Sequence, residues 1–182
     1  GSEANRKLAL QAARETITLL KNDAHLAPLN PAKLKTIAVI GPNADRELLG
    51  GYSGKPAFYT SVLEGIRAKV GDRIQVPYAE GCKITLGGSW NQDIVTPSDP
   101  NQDRKLIKEA VRTAQNSDVV ILAVGGNEQT SREAWSLKHM GDRTSLDLVC
   151  RQEELIKAIV ATGNPVIAVL FNGRPLSINC LV

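Results

Sequence analysis

Two carboxylates, an arginine and a tryptophan lie close together in the sequence, directly after an apolar run at 119–124. They are Glu128, Arg132, Glu133 and Trp135. A carboxyl group acts as a general acid when it is partly desolvated and when its neighbours tune its pKa. The same composition also suits a solvated loop with Arg–Glu surface pairs and a tryptophan that plugs its core. The residue types alone do not identify a second carboxylate with a complementary role.

A second group of residues contains three aromatic side chains. Tyr52, Phe58 and Tyr59, together with Ser53, follow the glycine pair at 50–51. Flat aromatic faces line many small-molecule sites and suit the faces of sugar rings. Buried rings that anchor the loop are the alternative interpretation.

Other kinds of site find little support in the sequence. The segment 41–44 follows an apolar run, but the chain has no G-x-G-x-x-G and no Walker lysine, which disfavours a nucleotide-binding flavodoxin-like domain. Two histidines and three cysteines without a C-x-x-C pair offer little for a metal, and we expect no cofactor. A dispersed net charge of +3 argues against nucleic acid and anionic membranes as partners. The apolar runs are all far shorter than the ~18 residues of a membrane helix.

The elements that must position these residues follow from apolar periodicity. Runs at 36–40, 119–124 and 166–171 are rich in β-branched residues and bounded by Gly or Pro, as is typical of strands buried on both faces of a parallel sheet. A weaker strand is predicted at 74–78.

Helical stripes alternate with these strands. They are predicted at about 60–70 (capped by Ser61 or Thr60), at 104–115 and around 155–160, after a first helix through Ala9, Ala13, Ile17 and Leu20. This alternation predicts an α/β fold, with a mainly parallel sheet covered by helices.

The connections are uneven in length. Segments that leave the predicted strands are long, at roughly 41–59, 79–102 and 125–150, whereas those that enter the strands are short. All strand exits of an open parallel sheet lie at one edge, where such folds bind ligands. Loops of this length are uncommon unless they serve function. We therefore expect a site at this edge.

The length of 182 residues suits a single domain. Gly1-Ser2 resembles a cloning scar, which leaves 3–182 for the domain. The first helix begins almost at the scar, and no closing helix follows the last strand. We therefore expect the sequence to be a piece of something larger.

Several motifs, in order along the chain, carry a resemblance to a known family. They lie at 12–22, 27–29, 37–44, 50–53, 78–82, 131–134, 141–143 and 172–176. With them the chain resembles the C-terminal, second domain of glycoside hydrolase family 3, the β-glucosidases and β-xylosidases. The resemblance covers nearly the whole sequence.

The resemblance implies a three-layer α/β/α sandwich and a retaining, exo-acting enzyme on oligosaccharides or β-glycosides. An N-terminal (β/α)₈ barrel would supply the nucleophilic aspartate, and the sandwich would supply the acid/base carboxylate. That carboxylate matches Glu133, with Glu128 as the second candidate. Tyr52, Ser53, Phe58, Arg132 and Trp135 become expected substrate contacts. The alternative is a sugar-binding or structural domain that covers a barrel without chemistry.

The chain departs from the family pattern in two places. Many relatives have Glu where this chain has Gly126, which implies the loss of a supporting carboxylate. The family's sandwich also continues past 177–178 through another strand and helix, so a C-terminally truncated sheet is expected. By resemblance, a periplasmic or secreted enzyme is favoured over a cytoplasmic one.

Overall fold

The apolar runs form parallel strands, and amphipathic helices connect them. In the computed structural model, which describes residues 2–87, 92–133 and 138–181, the strands are β1 (Ile37–Ile40), β2 (Tyr78–Ala79), β3 (Val119–Gly125) and β4 (Val166–Phe171). The helices are α1 (Glu3–Glu15), α2 (Val62–Val70), α3 (Pro100–Gln115) and α4 (Gln152–Val160). Three short 3₁₀ turns lie at Pro31–Lys33, Gly71–Arg73 and Asn179–Leu181. Over the described ranges the strand order is β2-β1-β3-β4, and each neighbouring pair is parallel.

The two faces of the sheet are covered by different helices. Successive side chains of a strand point to opposite faces. On one face, alternate strand residues such as Ile40 and Leu122 pack with α3 and α4, whose buried contributions include Ile107 and Ile156. On the other face, the intervening strand residues pack with α2. The predicted three-layer α/β/α sandwich is therefore confirmed.

Ser61 starts α2 with a reciprocal cap. Its Oγ accepts from the Glu64 amide at 3.1 Å, and the Glu64 carboxylate accepts from the Ser61 amide at 3.0 Å. The Ser61 hydroxyl also donates to Asp45 at 2.7 Å. The cap predicted at Ser61 is confirmed, and it fixes the loop after β1 to the start of α2.

Three boundaries differ from the sequence prediction. The first helix ends at Glu15 rather than near Leu20, because the β-branched run at 16–18 is a poor helix former and the Thr16 hydroxyl bonds back to Ala13. The strand predicted at 74–78 is reduced to β2 and an isolated bridge at Gln75, since Pro77 has no N–H for a ladder. Helix α3 begins at Pro100, not at residue 104, because Asp99 caps it.

Asp118 joins the entrances of β1 and β3. Its carboxylate accepts from the backbone amides of Lys35 at 2.7 Å and Thr36 at 2.9 Å. These two hydrogen bonds hold the pKa of Asp118 below its ordinary value. The charged form is thus favoured by the folded state.

We expect Asp118→Asn to make the free energy of unfolding less sensitive to acid. The pKa of Asp118 is lower in the folded state than in the unfolded state. Its contribution to the free energy of unfolding is therefore complete above the unfolded-state pKa of about 3.9, and it is lost as the pH falls through the folded-state pKa. Urea unfolding at about pH 6 and about pH 3 measures this difference. The wild type should lose more stability than Asp118→Asn over that interval. Equal losses in Asp118→Asn and the wild type would contradict the assignment.

Candidate active site

The loops that leave β1, β2 and β3 meet at one edge of the sheet. Their described parts, 41–61, 80–87, 92–99, 126–133 and 138–151, are called the strand-exit rim. The Asn43 side chain donates to the Gly126 carbonyl at 3.0 Å. The Asn127 side chain donates to the Thr85 hydroxyl at 2.9 Å, and Arg132 Nη2 donates to the Gln92 carbonyl at 2.8 Å. The predicted gathering of the three loops is therefore confirmed.

Two glycines let the strand exits pass close to their neighbours. Gly41 has φ of +125° and Gly125 has φ of +138°. A Cβ on Gly41 would lie 2.0 Å from the Ala123 carbonyl oxygen, and one on Gly125 would lie 2.0 Å from the Phe171 carbonyl oxygen. Both the space and the backbone conformation require glycine.

A compact turn at 127–130 carries Glu128. The Asn127 amide donates to Thr130 Oγ1 at 3.0 Å, and the Thr130 amide donates to Asn127 Oδ1 at 3.1 Å. Gln129 and Thr130 are buried, whereas Glu128 is half-buried. A Cβ on Gly126 would lie 2.7 Å from Ser131 Oγ, so a side chain at position 126 would require the Ser131 side chain to shift.

Glu133 lies beyond this turn with an exposed side chain. It is the last described residue before the gap at 134–137, so the predicted contact residue Trp135 lies outside the described residues. The two candidate carboxylates thus differ in their surroundings: Glu128 belongs to the fixed turn and Glu133 faces solvent.

Arg132 is held inside the rim. Its side chain is 4% exposed. Burial lowers the pKa of the guanidinium, and Glu128 and Asp93 act in the opposite direction. Its carbonyl oxygen accepts from Arg174 Nη2 at 3.4 Å. Arg132 therefore joins its own loop to the segments that contain Gln92 and Arg174.

The aromatic residues of the first loop face solvent. Tyr52 is 96% exposed and Phe58 is 67% exposed, and Ser53 and Tyr59 are exposed as well. The alternative interpretation, in which buried rings anchor this loop, is therefore wrong. All three rings are exposed on the first loop of the rim.

Other titratable groups near the rim are poorly suited to acid/base chemistry. Burial, with Glu80 and Asp45, raises the pKa of Tyr78 to about 12. Burial also raises the pKa of the Cys82 thiol. Both groups remain protonated near neutral pH. Within the described ranges, no group of three or more His, Cys, Asp or Glu side chains is placed to hold a metal ion.

Residue patterns did not single out the amides that fix the rim. Asn43, Asn127 and Gln152 each hydrogen bond to the backbone or to another loop. A single amide leaves no periodic signal. The resemblance included Asn43 in the motif at 37–44 but assigned it no role.

Comparisons with known proteins agree with this architecture. The family model described as "Glycosyl hydrolase family 3 C-terminal domain" matches residues 17–181. A β-xylosidase of Formosa agariphila is 44% identical over 98% of this chain and 23% of its own length. A periplasmic β-glucosidase of Salmonella typhimurium is 38% identical over 97% of this chain and 23% of its own length.

A solved structure gives the same relation. A β-glucosidase of Erythrobacter marinus superposes with a TM-score of 0.88 and 38% identity, over 99% of this chain and 25% of that one. The chain belongs to glycoside hydrolase family 3. It corresponds to the C-terminal domain of that family and spans about a quarter of the length of these relatives.

We expect Gly125→Ala to destabilise the protein severely. The added Cβ would meet the Phe171 carbonyl oxygen, and alanine is strained at the positive φ, so the loss should be about 3 kcal/mol or more. Gly50→Ala is the matched control, because a Cβ there has no heavy atom within 4 Å. Urea unfolding of both variants measures the difference. A loss below about 1 kcal/mol in Gly125→Ala would contradict the described strand exit.

Proposed function

We propose that this chain is the acid/base-supplying domain of a retaining, exo-acting β-glycosidase that hydrolyses terminal β-linked sugars. The observation that carries the proposal is the position of Glu133. This carboxylate faces solvent on the loop that leaves β3, directly after a segment fixed by Asn127, Thr130 and Arg132. The relatives named β-xylosidase and β-glucosidase support β-xylosides and β-glucosides as substrates.

The proposed reaction divides two carboxyl groups between two domains. An aspartate of an N-terminal (β/α)₈ barrel attacks the anomeric carbon while Glu133 protonates the leaving glycosidic oxygen. Glu133 then takes a proton from water, which releases the sugar from the aspartate. Retaining chemistry needs the two carboxyl groups about 5–5.5 Å apart, so the domains must close to that separation.

The substrate contacts are proposed along the same rim. Tyr52 and Phe58 present exposed rings that suit the face of a sugar, and Ser53 adds a hydroxyl beside them. Arg132 is buried and bonded to the Gln92 carbonyl, so its proposed part is to hold the segment that precedes Glu133 rather than to contact the sugar directly. Trp135, two residues after Glu133 in sequence, completes the proposed set.

Helix α1 supports the proposal of a preceding domain. Each residue of Glu3–Glu15 is described and exposed, including Leu8 and Leu10. Ile17, Leu19 and Leu20 are also at least 70% exposed. The matched family model begins only at residue 17. An apolar surface at this end of the chain is the surface that a barrel domain would cover.

Placement outside the cytoplasm is also proposed. It is supported by the Salmonella relative, whose name is "Periplasmic beta-glucosidase". Among the helices described, none is long and apolar enough to cross a membrane.

The chain alone should lack glycosidase activity. One of the two required carboxyl groups belongs to the proposed barrel, so p-nitrophenyl β-glucoside and β-xyloside should not be turned over above the buffer rate. Stopped assays with purified chain check this expectation, with the full-length enzyme as the positive control. Turnover that co-purifies with the chain and is lost in Glu133→Ala would contradict the two-domain mechanism.

In the full-length enzyme, Glu133→Ala should slow turnover most for substrates with poor leaving groups. Protonation by a general acid contributes about 10²–10⁴-fold, and activated aryl glycosides need it least. Azide should restore the second step for activated substrates, because it replaces the water that Glu133 would deprotonate. Measurements of kcat across a leaving-group series test this pattern.

Glu128→Ala is the matched control on the same loop. It should retain kcat within a few-fold across the leaving-group series. If Glu128→Ala shows the dependence on the leaving group and Glu133→Ala does not, Glu128 is the acid/base residue and the assignment is wrong.

A further inference from the structure

Strand β3 continues beyond the end of β1. The last paired residues of these strands are Ile40 and Leu122, and the Asn43 amide then bonds to the Ala123 carbonyl at 3.3 Å. In a parallel sheet, backbone groups of successive residues point alternately to the two neighbouring strands. Gly125, two residues after Ala123, therefore presents its N–H and C=O where β1 has already turned away.

The side chain of Gln152 occupies the position of the missing strand. Gly125 N–H donates to Gln152 Oε1 at 2.8 Å, and Gln152 Nε2 donates to the Gly125 carbonyl at 2.9 Å. A second N–H of the same amide donates to the Val149 carbonyl at 3.1 Å. The side chain is 0% exposed. The amide thus makes the two hydrogen bonds that a neighbouring strand would otherwise make with Gly125.

The peptide after Gly125 is fixed as well. Gly126 N–H donates to the Phe171 carbonyl at 2.8 Å, and Asn43 donates to the Gly126 carbonyl. The backbone at the start of the acid/base loop is therefore hydrogen-bonded both to β4 and to the loop after β1. A buried peptide group left without a hydrogen-bond partner costs about 1–3 kcal/mol of stability. Loss of the Gln152 amide would therefore favour local opening of the backbone at Gly125.

We propose that Gln152 is a positioning residue, which fixes the root of the 126–133 loop and thereby the place of Glu133 at the strand-exit rim. The proposal rests on the function proposed above. A displacement of about 1 Å at a reacting group lowers the rate about 10²-fold, so a small shift of Glu133 would be sufficient to slow the reaction. The apolar packing of α4 is made by other residues, namely Leu155, Ile156 and Ile159, so the Gln152 amide is separable from the core.

Two variants separate hydrogen bonding from volume. Gln152→Met keeps the length of the side chain and removes the amide. Gln152→Glu keeps the shape, and in its protonated form it can accept from Gly125 N–H and donate to the Gly125 carbonyl. Burial and two facing carbonyl oxygens favour that protonated form.

Asn164→Ala is the matched control. Asn164 Nδ2 donates to the Ser117 carbonyl at 2.6 Å, next to the start of β3. It is thus another side-chain amide bonded to the backbone beside β3, at the edge opposite the rim. Its loss should lower stability without displacing the acid/base loop.

The first measurement uses the chain by itself. Amide hydrogen exchange of Gly125, Gly126 and the 127–130 turn should accelerate about tenfold or more in Gln152→Met, which corresponds to loss of one to two net hydrogen bonds. In Asn164→Ala these amides should exchange as in the wild type. Unchanged exchange at the rim in Gln152→Met would overturn the proposal.

The second measurement uses the full-length enzyme with disaccharide and activated aryl substrates. Gln152→Met should lower kcat about 10- to 100-fold for disaccharides and only a few-fold for activated substrates, with KM within about twofold. Gln152→Glu should regain disaccharide activity as the pH falls, relative to Gln152→Met. Asn164→Ala should show neither effect.

The outcomes separate this inference from the proposed function. An inactive wild-type enzyme would overturn the proposed function, and the exchange data would still decide whether Gln152 fixes the loop. An active wild type whose Gln152→Met variant loses rate equally on all substrates would overturn the positioning role and leave a purely structural one.

Discussion

The position of β3 between β1 and β4 is the constraint on which the rim depends. Its backbone is paired on both edges, and its side chains are buried almost throughout. Because β1 ends earlier than β3, the exit of β3 is partly supported by side chains rather than by a strand. The candidate acid/base loop thus starts from a rigid strand end, although Glu133 itself faces solvent.

Hydrogen bonds join the described parts of the three loops. Asn43, Asn127 and Arg132 each donate from a side chain to an oxygen on a different loop. Such bonds constrain direction as well as distance, whereas apolar contacts between loops would allow sliding. The side chains of Tyr52 and Phe58 on the first loop are largely exposed. The rim therefore combines loops joined by hydrogen bonds with exposed aromatic side chains.

Much of the fold follows from short-range patterns in the sequence. The β-branched runs identified β1, β3 and β4, and Ser61 marked the start of α2. The failures have local causes: Pro77 interrupts the ladder of β2, and Asp99 starts α3 earlier than its apolar stripe. These are effects of single residues that a periodic pattern does not contain.

The sequence indicated at which edge of the sheet a site would lie, but not which side-chain contacts hold the loops there. Long strand-exit loops indicated the rim, and the family motif indicated Glu133. The role of Gln152 depends on a contact between residues 27 positions apart. The burial of Arg132 likewise depends on how the loops fold over one another. Neither can be read from residue type, because polar side chains are usually exposed.

The exposure of α1 shows that this helix does not contribute to the stability of the domain core. All residues of Glu3–Glu15 are described, and none of them is buried. The core of the sandwich is therefore assembled without this helix. In the proposed two-domain enzyme, changes at Leu8 and Leu10 would alter the contact with the preceding domain and leave the core of this domain intact. Variation at these positions would then tune the opening between the two proposed domains separately from the chemistry proposed for Glu133.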